Sequence, residues 1–364
     1  MKSLWNDKEA SGSEGDPLRL RVYTSRLLGQ EPSLVLHGGG NTSVKTTATT
    51  LFGDREDLLY IKGSGWDLAT IEAAGFAPVQ LRVLTRMAEL PRLTDTEMVR
   101  AQRAAMTDPS APTPSVEAIL HAIIPFTFVD HTHADAVVAI SNTPGGEARI
   151  REVYQDRVLV VPYVMPGFVL ARKVFELSRG LDWSRYEGMV LLHHGIFSWG
   201  NDARSSYERM IELVTTAEDY LQKKKAWTAV RRVTSSTAHG VNGVELELAR
   251  LRREASLLRG APMIAILDDS AEAAGFAGQP EVASIASRGP LTPDHVIRTK
   301  PTPLGVARGQ FRFRRSLRRG IPRVFRPPRD AGSEAARPGT PLDGVARRGN
   351  RGTRPKCQGC RDCR

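Results

Sequence analysis

The chain has 364 residues, of which 41% are hydrophobic, so it can bury a sizeable core and hold more than one structural unit. No stretch approaches the roughly 20 consecutive apolar residues of a membrane span, and residues 1–15 carry charges where a secretory signal needs an apolar run. These features argue against a membrane protein or a secreted one. They predict a flexible N-terminus over 1–15 and a cytoplasmic location.

The net charge of +11 is confined to the C-terminal part of the chain. Residues 301–364 carry 17 Lys and Arg against 4 Asp and Glu, a net of +13, whereas residues 1–300 are close to neutral. This Arg-, Pro- and Gly-rich segment cannot bury enough apolar surface to offset its ordering entropy, so we predict that it is disordered. A single arginine cluster in such a tail is a weak signal for nucleic acid, which we do not expect as a partner. Our hypothesis is that the tail is a frameshifted or truncated reading of a longer ancestor.

Helix and strand patterns alternate from residue 16 to residue 225, as in a mixed α/β domain. A helix is predicted over 17–29, and short strands over 33–37 and 41–47 flank a run of three glycines. Asp67 and Ser115 are predicted helix caps. The remaining strands are predicted at 57–63, 126–133, 156–163, 188–195 and 196–200, and the remaining helices at 94–106, 134–141, 167–180 and 203–225.

The pattern weakens after residue 225. Residues 226–300 are predicted to form a helical extension and linker, with an amphipathic helix over 241–260 and a short strand over 263–269. All three cysteines lie beyond this region, in the last eight residues. A metal bound by the body of the chain therefore has only nitrogen and oxygen ligands available.

Histidines at two predicted strand ends form a candidate metal site. His131 and His133 are two residues apart on one strand, so both rings leave the same face, roughly 6 to 7 Å apart at the backbone. His194 ends another strand, before Gly195 and the tight turn that directs it. Three neutral imidazoles leave an open position on a tetrahedral ion, which is typical of catalytic zinc. An isolated pair at this spacing is more often chance, but the second strand end favours the metal interpretation. His121, on an apolar helix face, is interpreted as a core histidine.

Two glycine-containing turns form a candidate anion site. Gly40 and the two glycines before it let backbone N–H groups approach an anion closely, and Asn41 adds a side-chain donor. Ser64 and Gly65 lie just before a predicted helix start and supply a hydroxyl and further N–H groups. Taken alone, such a glycine run is more often simply a tight turn. The phosphate interpretation therefore depends on the neighbouring motifs.

Five motifs, in this order and at these intervals, resemble the class II aldolase/adducin family: GGGNTS, KGSG, PSVEAILH, HTHADA and LLHHG. The sequence around these motifs is similar to the aldolase part of bacterial rhamnulose-1-phosphate aldolase/dehydrogenase fusion proteins. The resemblance extends from residue 16 to about 300. It implies an α/β fold of the class II aldolase type, with three α/β/α layers and a central, mostly antiparallel sheet. It assigns the aldolase domain to residues 16–225.

The resemblance also carries roles to particular residues. It implies that His131, His133 and His194 bind zinc or another divalent metal, and that Glu117 is the catalytic acid/base. The serine pair that precedes this glutamate in the family is reduced here to Ser115 and a valine, a departure that removes one possible phosphate contact. Gly40, Asn41, Ser64, Gly65 and Ser115 are the implied phosphate-binding residues.

The chemistry follows from an ion at this place. Retro-aldol cleavage leaves an enediolate, and a divalent cation stabilises that negative charge as a Lewis acid, so no Schiff-base lysine is required. Glu117 would transfer a proton, a task for which we expect burial to raise its pKa towards neutrality. A second acid/base would come from Tyr163 or from a neighbouring subunit. The alternative for Glu117 is a first-turn glutamate favoured only by the helix dipole.

The resemblance implies an aldehyde-lyase that cleaves a ketose 1-phosphate, rhamnulose 1-phosphate above others, to dihydroxyacetone phosphate and lactaldehyde. It also implies a homo-oligomer, a tetramer in the family, with a phosphorylated sugar as its partner. Two alternatives stay open, because a fold and a metal site do not determine the substrate. One is a sugar-phosphate epimerase or dehydratase on the same scaffold, and the other is a non-catalytic, adducin-like interaction module.

Overall fold

The computed structural model describes residues 1–13, 15–226, 242–296, 298–299 and 301–303. The tail predicted to be disordered lies outside these described residues, apart from its first three positions. Among the helices that are described, none combines the length and apolar character needed to cross a membrane.

Seven strands and thirteen α-helices are found in the described part of the chain. In chain order they are α1 (Asp7–Ser11), α2 (Pro17–Gly29), β1 (Asn41–Thr49), β2 (Arg55–Lys62), β3 (Phe76–Gln80), α3 (Leu81–Glu89), α4 (Asp95–Ala104), α5 (Ala118–Ile123), β4 (Phe128–Thr132), α6 (Asp135–Ser141), α7 (Gly146–Tyr154), β5 (Val158–Val161), α8 (Phe168–Ser178), β6 (Gly188–Leu191), β7 (Gly195–Gly200), α9 (Ala203–Lys223), α10 (Asn242–Arg259), α11 (Ala271–Ala277), α12 (Val282–Ala286) and α13 (Pro293–Val296). Short 3-10 turns lie at Leu68–Thr70, Ala73–Gly75 and Trp183–Arg185.

Side-chain caps explain where several helices begin. Asp16 accepts hydrogen bonds from the first backbone N–H groups of α2, and a proline occupies the first helical position, where no N–H partner is needed. Thr94 and Glu97 form a reciprocal capping box at α4. Asp67 caps the turn after β2, as predicted.

The strands form one sheet in the order β3-β2-β1-β4-β7-β6-β5. All neighbours are antiparallel except β5 and β6, which run parallel. The prediction of a central, mostly antiparallel sheet is therefore confirmed.

Two apolar cores lie on opposite faces of this sheet. Because side chains alternate along a strand, Val190 and Ile196 pack with α6, α7 and α9, whereas their neighbours Met189 and Phe197 pack with α3, α5 and α8. Helices thus cover both faces, which is the predicted three-layer α/β/α arrangement.

Several local expectations differ from the structure. Residues 33–37 and 263–269 are not strands, although their apolar runs suggested it. The first run contributes Leu34 and Val35 to a core from a loop, and the second lies largely exposed. Within residues 16–225, two helices and one strand were missed, namely α3, α7 and β3, and outside this range α1, α11, α12 and α13 were not predicted.

The N-terminus also differs from the expected flexible segment. The amino group of Met1 donates to Thr215 Oγ1 at 3.1 Å, and the N–H of Leu4 donates to the Tyr207 hydroxyl at 2.9 Å. The Trp5 ring packs edge-on against that of Tyr23, with 5.4 Å between centroids. These contacts hold the segment against α9. The charged residues at positions 7–9 had suggested a solvated segment instead.

A buried ion pair links helix α2 to strand β4. Arg21 Nη2 lies 2.5 Å from Asp130 Oδ1, and both side chains are fully buried. The Ser206 hydroxyl donates to the other carboxylate oxygen of Asp130. The pair lies one residue from His131, so it couples the packing of α2 and α9 to the strand that carries the candidate ligands.

We expect Arg21→Met to lower the free energy of unfolding by about 3–5 kcal/mol, because it leaves the Asp130 carboxylate buried without its cation. Urea unfolding of the full chain followed by circular dichroism measures this change. Arg157→Met is the matched control: Arg157 pairs with Glu187 and Glu212 at the surface, and an exposed pair contributes about 1 kcal/mol or less. Equal effects of the two substitutions would contradict the assignment.

Candidate metal centre and active-site pocket

The structure brings His131, His133 and His194 together. All three are buried, and one ring nitrogen from each lies within 4.8 Å of the others. The ring centroids are 4.9 to 5.2 Å apart. His131 lies within β4, His133 directly after it, and His194 in the turn between β6 and β7. Two separate parts of the chain therefore supply the group, as predicted.

The backbone of the β6–β7 turn is specialised for this approach. A Cβ atom at Gly195 would lie 2.4 Å from the Thr132 carbonyl oxygen and 2.9 Å from His131 Cε1, so only glycine fits here. His193 adopts a left-handed conformation with φ of 60°, and its Nδ1 lies 2.9 Å from Asn142 Oδ1. This conformation turns the chain so that His194 faces the other two rings.

The donor set fits a divalent metal ion. The Nδ1 atom of His131 lies 3.0 Å from the Ile196 carbonyl oxygen, which holds its proton there and leaves Nε2 without a partner. Buried polar atoms without a hydrogen-bond partner among the described residues include His131 Nε2, His133 Nε2, His194 Nδ1 and Glu117 Oε1. Burial lowers the pKa of His131 to about 3 and also lowers that of His194. His131 and His194 are therefore neutral at neutral pH, which is the form that binds metals.

Glu117 lies beside the histidine group. Its carboxylate oxygens are 3.3 Å from His131 Nε2 and 3.5 Å from His194 Nε2. The residue immediately precedes α5 instead of lying in the first helical turn, and its N–H donates to the Ser115 hydroxyl at 3.3 Å. The prediction that Ser115 caps this helix is wrong, because the N-cap position is occupied by Glu117 and no side chain caps α5.

The expected rise in the pKa of Glu117 is wrong. Burial by itself raises this pKa, but the facing imidazoles of His131 and His194 and a hydrogen bond from Asn41 outweigh burial and lower it to about 2. The side chain is thus a carboxylate at neutral pH. In this state it can accept a proton but has none to donate.

Polar side chains behind Glu117 hold it in place. Asn41 Nδ2 donates to Glu117 Oε2 at 2.6 Å, and Asn41 Oδ1 lies 2.5 Å from His121 Nε2. The other nitrogen of His121 lies 2.8 Å from the Ser43 hydroxyl. His121 is fully buried, which agrees with the prediction of a core histidine, and it supports the carboxylate through Asn41. Asn41 therefore has one N–H of its amide left for a ligand.

A cavity of about 600 Å³ opens in front of Glu117 and the histidines. Every residue predicted to contact phosphate lines it: Gly40, Asn41, Ser64, Gly65 and Ser115. Tyr163 also lines the cavity with half of its side-chain surface exposed. Nine of the ten predicted site residues thus line one pocket, and the tenth, His131, lies beside Glu117, while their roles stay predictions.

Two charged residues at this pocket were missed from sequence. Lys62, the last residue of β2, lines the cavity and donates from Nζ to the Gly38 carbonyl at 2.8 Å. Among the described residues that line the cavity, it is the only lysine or arginine. Its place in the KGSG motif, next to the predicted anion-binding residues Ser64 and Gly65, was a usable signal. Asp294, which contacts His133 from 161 residues away, gave no such signal.

Comparison with known proteins defines the family. Residues 19–221 match the family described as "Class II Aldolase and Adducin N-terminal domain", and residues 244–319 match "Aldolase class II, second domain". The chain belongs to the class II aldolase and adducin family. The second match covers most of the region that was predicted to be an extension and linker.

Individual relatives agree with this membership. The chain is 31% identical over 318 residues to the uncharacterized oxidoreductase YuxG of Bacillus subtilis (strain 168), covering 84% of this chain but only 44% of that protein. It therefore spans less than half of the relative's length. The N-terminal class II aldolase domain of a conserved protein from Thermoplasma acidophilum is 38% identical, with a TM-score of 0.55, and the alignment covers 61% of this chain and 99% of that domain.

We expect His131→Ala and His194→Ala each to reduce bound divalent metal from about one ion per chain to a small fraction, because each removes one of three protein ligands. Elemental analysis after dialysis measures this. His193→Asn is the matched control, since it changes the neighbouring histidine outside the group and asparagine tolerates the left-handed backbone. Full metal occupancy in both alanine variants would show that the ligands are assigned wrongly.

Proposed function

We propose that this chain is a zinc-dependent aldehyde-lyase that cleaves a ketose 1-phosphate to dihydroxyacetone phosphate and an aldehyde. The observation that carries the proposal is one cavity that joins a three-histidine group, a carboxylate and a cation next to two glycine turns. Rhamnulose 1-phosphate, which yields lactaldehyde, is the specific candidate. This choice of substrate rests on the sequence similarity to the aldolase part of the rhamnulose-1-phosphate aldolase/dehydrogenase fusion proteins.

The proposed division of labour follows from the positions of the charged groups. When bound by His131, His133 and His194, the metal supplies a Lewis acid that stabilises negative charge on substrate oxygens. In the condensation direction Glu117, ionised and held by Asn41, would take a proton from C3 of dihydroxyacetone phosphate. In the cleavage direction the same carboxylate would first take up the proton that leaves the substrate hydroxyl as the aldehyde forms, relayed by the group on the aldehyde side, and would then deliver it to C3. Tyr163, or a group from a neighbouring subunit, exchanges the proton on the aldehyde side.

Another group of residues in the cavity lining is suited to a phosphate. Ser64, Gly65 and Ser115 offer hydroxyl and N–H donors there, and Lys62 contributes positive charge in a buried position. A charge-assisted hydrogen bond of this kind is worth about 1.5–3 kcal/mol. The lysine also holds the glycine turn through Gly38, so one side chain would both shape and charge the subsite.

The two alternatives make different predictions. An epimerase or dehydratase would consume a sugar phosphate without releasing dihydroxyacetone phosphate. An adducin-like module would need neither metal nor substrate, and the buried, unpaired ring nitrogens count against it. We also propose, from the family resemblance, a homo-oligomeric and cytoplasmic enzyme, with neither nucleic acid nor membrane as a partner.

A survey of ketose 1-phosphates, with coupled detection of dihydroxyacetone phosphate, tests the proposal. We expect metal-dependent cleavage of at least one of them, rhamnulose 1-phosphate first. Conversion to an isomer without release of a triose phosphate would favour the epimerase. The absence of any turnover by metal-loaded protein would favour the binding module.

We expect Glu117→Gln to reduce cleavage by about 10²- to 10⁴-fold, because the amide keeps the side-chain shape but exchanges no proton. Exchange of solvent deuterium into C3 of dihydroxyacetone phosphate should fall with the cleavage rate, since both need the same transfer. Metal content and thermal midpoint, measured on the same samples, control for loss of the site. If exchange stays near the wild-type rate, Glu117 is not the proton acceptor.

We expect the KM for a phosphorylated substrate to rise above about pH 8. Burial lowers the pKa of Lys62 to about 8, despite the opposing charges of Asp294, Asp67 and Glu117. Below this pH the lysine is protonated and attracts the phosphate, and above it the charge is lost. Steady-state kinetics from pH 7 to 9.5 measure the change.

Lys62→Met should raise the KM by about 10- to 100-fold at pH 7 and flatten its pH dependence, since a loss of 1.4 kcal/mol is tenfold. Lys62→Arg is the control, because arginine stays charged throughout this range and should keep the KM flat across pH 8. Inorganic phosphate should inhibit wild type more strongly than Lys62→Met. Equal inhibition of the two proteins would place the phosphate elsewhere.

A further inference from the structure

The second family region reaches the candidate metal centre through a single buried carboxylate. Asp294 lies in α13, within the residues that match the second domain, and is only 1% exposed. The Nδ1 atom of His133 is hydrogen-bonded to its Oδ1 atom. Its Oδ2 atom accepts the Leu36 N–H at 2.7 Å. Both oxygens are thus engaged by the first region.

The first region is shaped to receive this side chain. A Cβ atom at Gly39 would lie 1.6 Å from Asp294 Oδ1, so the glycine turn leaves room that no other residue would leave. The loop from residue 33 to residue 40, which is not a strand, presents the Leu36 N–H to the carboxylate. Residues of the first family region therefore provide both the space and a hydrogen-bond donor for the Asp294 carboxylate.

Neighbouring residues of the same segment also contact the site. Asn142 Nδ2 donates to the Leu291 carbonyl at 3.3 Å, and the Thr292 hydroxyl lies 2.8 Å from His295 Nδ1. Leu291, Thr292 and Pro293 line the cavity in front of the histidines. The segment is thus one wall of the pocket as well as the source of the carboxylate.

The hydrogen bond determines which nitrogen of His133 is free. An ionised carboxylate accepts a proton from Nδ1, so the ring keeps its proton there and presents the Nε2 lone pair. Nε2 is the buried atom of this ring that has no partner among the described residues. A carboxylate behind a metal-binding histidine also orients the ring and increases its basicity.

We propose that Asp294 is a positioning residue that sets the tautomer and orientation of His133, and that the second family region thereby completes the metal centre within the same chain. The inference rests on the proposed metal centre and goes beyond it. It assigns a chemical role to a region that otherwise contributes only a wall of the cavity.

The test measures zinc affinity of the full chain by competition with a chromogenic chelator after the metal has been removed. We expect Asp294→Ala to weaken zinc binding by about 10- to 100-fold. Asp294→Asn should fall between that variant and wild type, because an amide has one acceptor oxygen for two donors. Asp135→Asn is the matched control: this residue begins α6, two positions after His133, and its carboxylate is not hydrogen-bonded to that ring in the described part of the chain. The variant should bind zinc within about twofold of wild type.

A second measurement separates positioning from simple packing. In metal-free protein labelled with ¹⁵N-histidine, the ring shifts of His133, assigned with His133→Gln, should report the Nδ1–H form in wild type and a mixture of tautomers in Asp294→Ala. If the carboxylate serves only to attach the segment, the thermal midpoint falls while zinc affinity and the tautomer stay unchanged. That result would overturn the inference.

The variants of Asp294 and His131 fail in distinguishable ways. Normal zinc binding by both Asp294 variants, with zinc lost in His131→Ala, would reject the role of Asp294 and leave the metal centre intact. Normal zinc binding by all of these variants would reject the metal centre itself, and with it the proposed lyase. Should Asp294→Ala fail to fold, Asp294→Asn carries both measurements, since its side chain keeps the shape of aspartate.

Discussion

Pairing of β4 with its two neighbours is the interaction on which the candidate site depends. β1 places Asn41 opposite His131, and β7 places Phe197 opposite the same histidine on the other side. The three strands therefore bring the glycine turn before β1, the histidine pair of β4 and the turn before β7 to one end of the sheet. A shift of β4 by one residue would move His131 to the opposite face. Register, more than any single contact, creates the centre.

Desolvation determines the chemistry that this register allows. Three imidazoles and a carboxylate are buried in contact, and each would be costly to bury alone in its charged form. Burial keeps His131 and His194 neutral, whereas Glu117 is ionised because the facing imidazoles and the Asn41 amide outweigh its burial. Placing a metal cation at the imidazoles would compensate the carboxylate further. The buried negative charge of Glu117 and the positive charge of the proposed metal ion would thus compensate each other.

The sequence predicted the sheet, the layers and the three-histidine group because those features arise from local patterns. Alternation along β4 places His131 and His133 on one face, and glycine after His194 permits the turn. The pKa of Glu117 was mispredicted because its sign depends on which groups face it, and this is a tertiary property. Lys62 was visible in its motif but its burial was not anticipated. Asp294 could not be found, since nothing local to residue 294 encodes contact with His133.

The fit between Gly39 and Asp294 shows how the two family regions constrain each other. In the turn at residues 38–40, glycine at position 39 leaves the space that the Asp294 carboxylate occupies, because a Cβ atom there would lie 1.6 Å from Oδ1. The Lys62 Nζ atom also donates a hydrogen bond to the Gly38 carbonyl of this turn. Lys62 therefore holds this turn at Gly38, while Asp294 packs against it at Gly39. Because Asp294 also binds His133, a change in the position of α13 would act both on the candidate metal centre and on the turn that lines the candidate anion site.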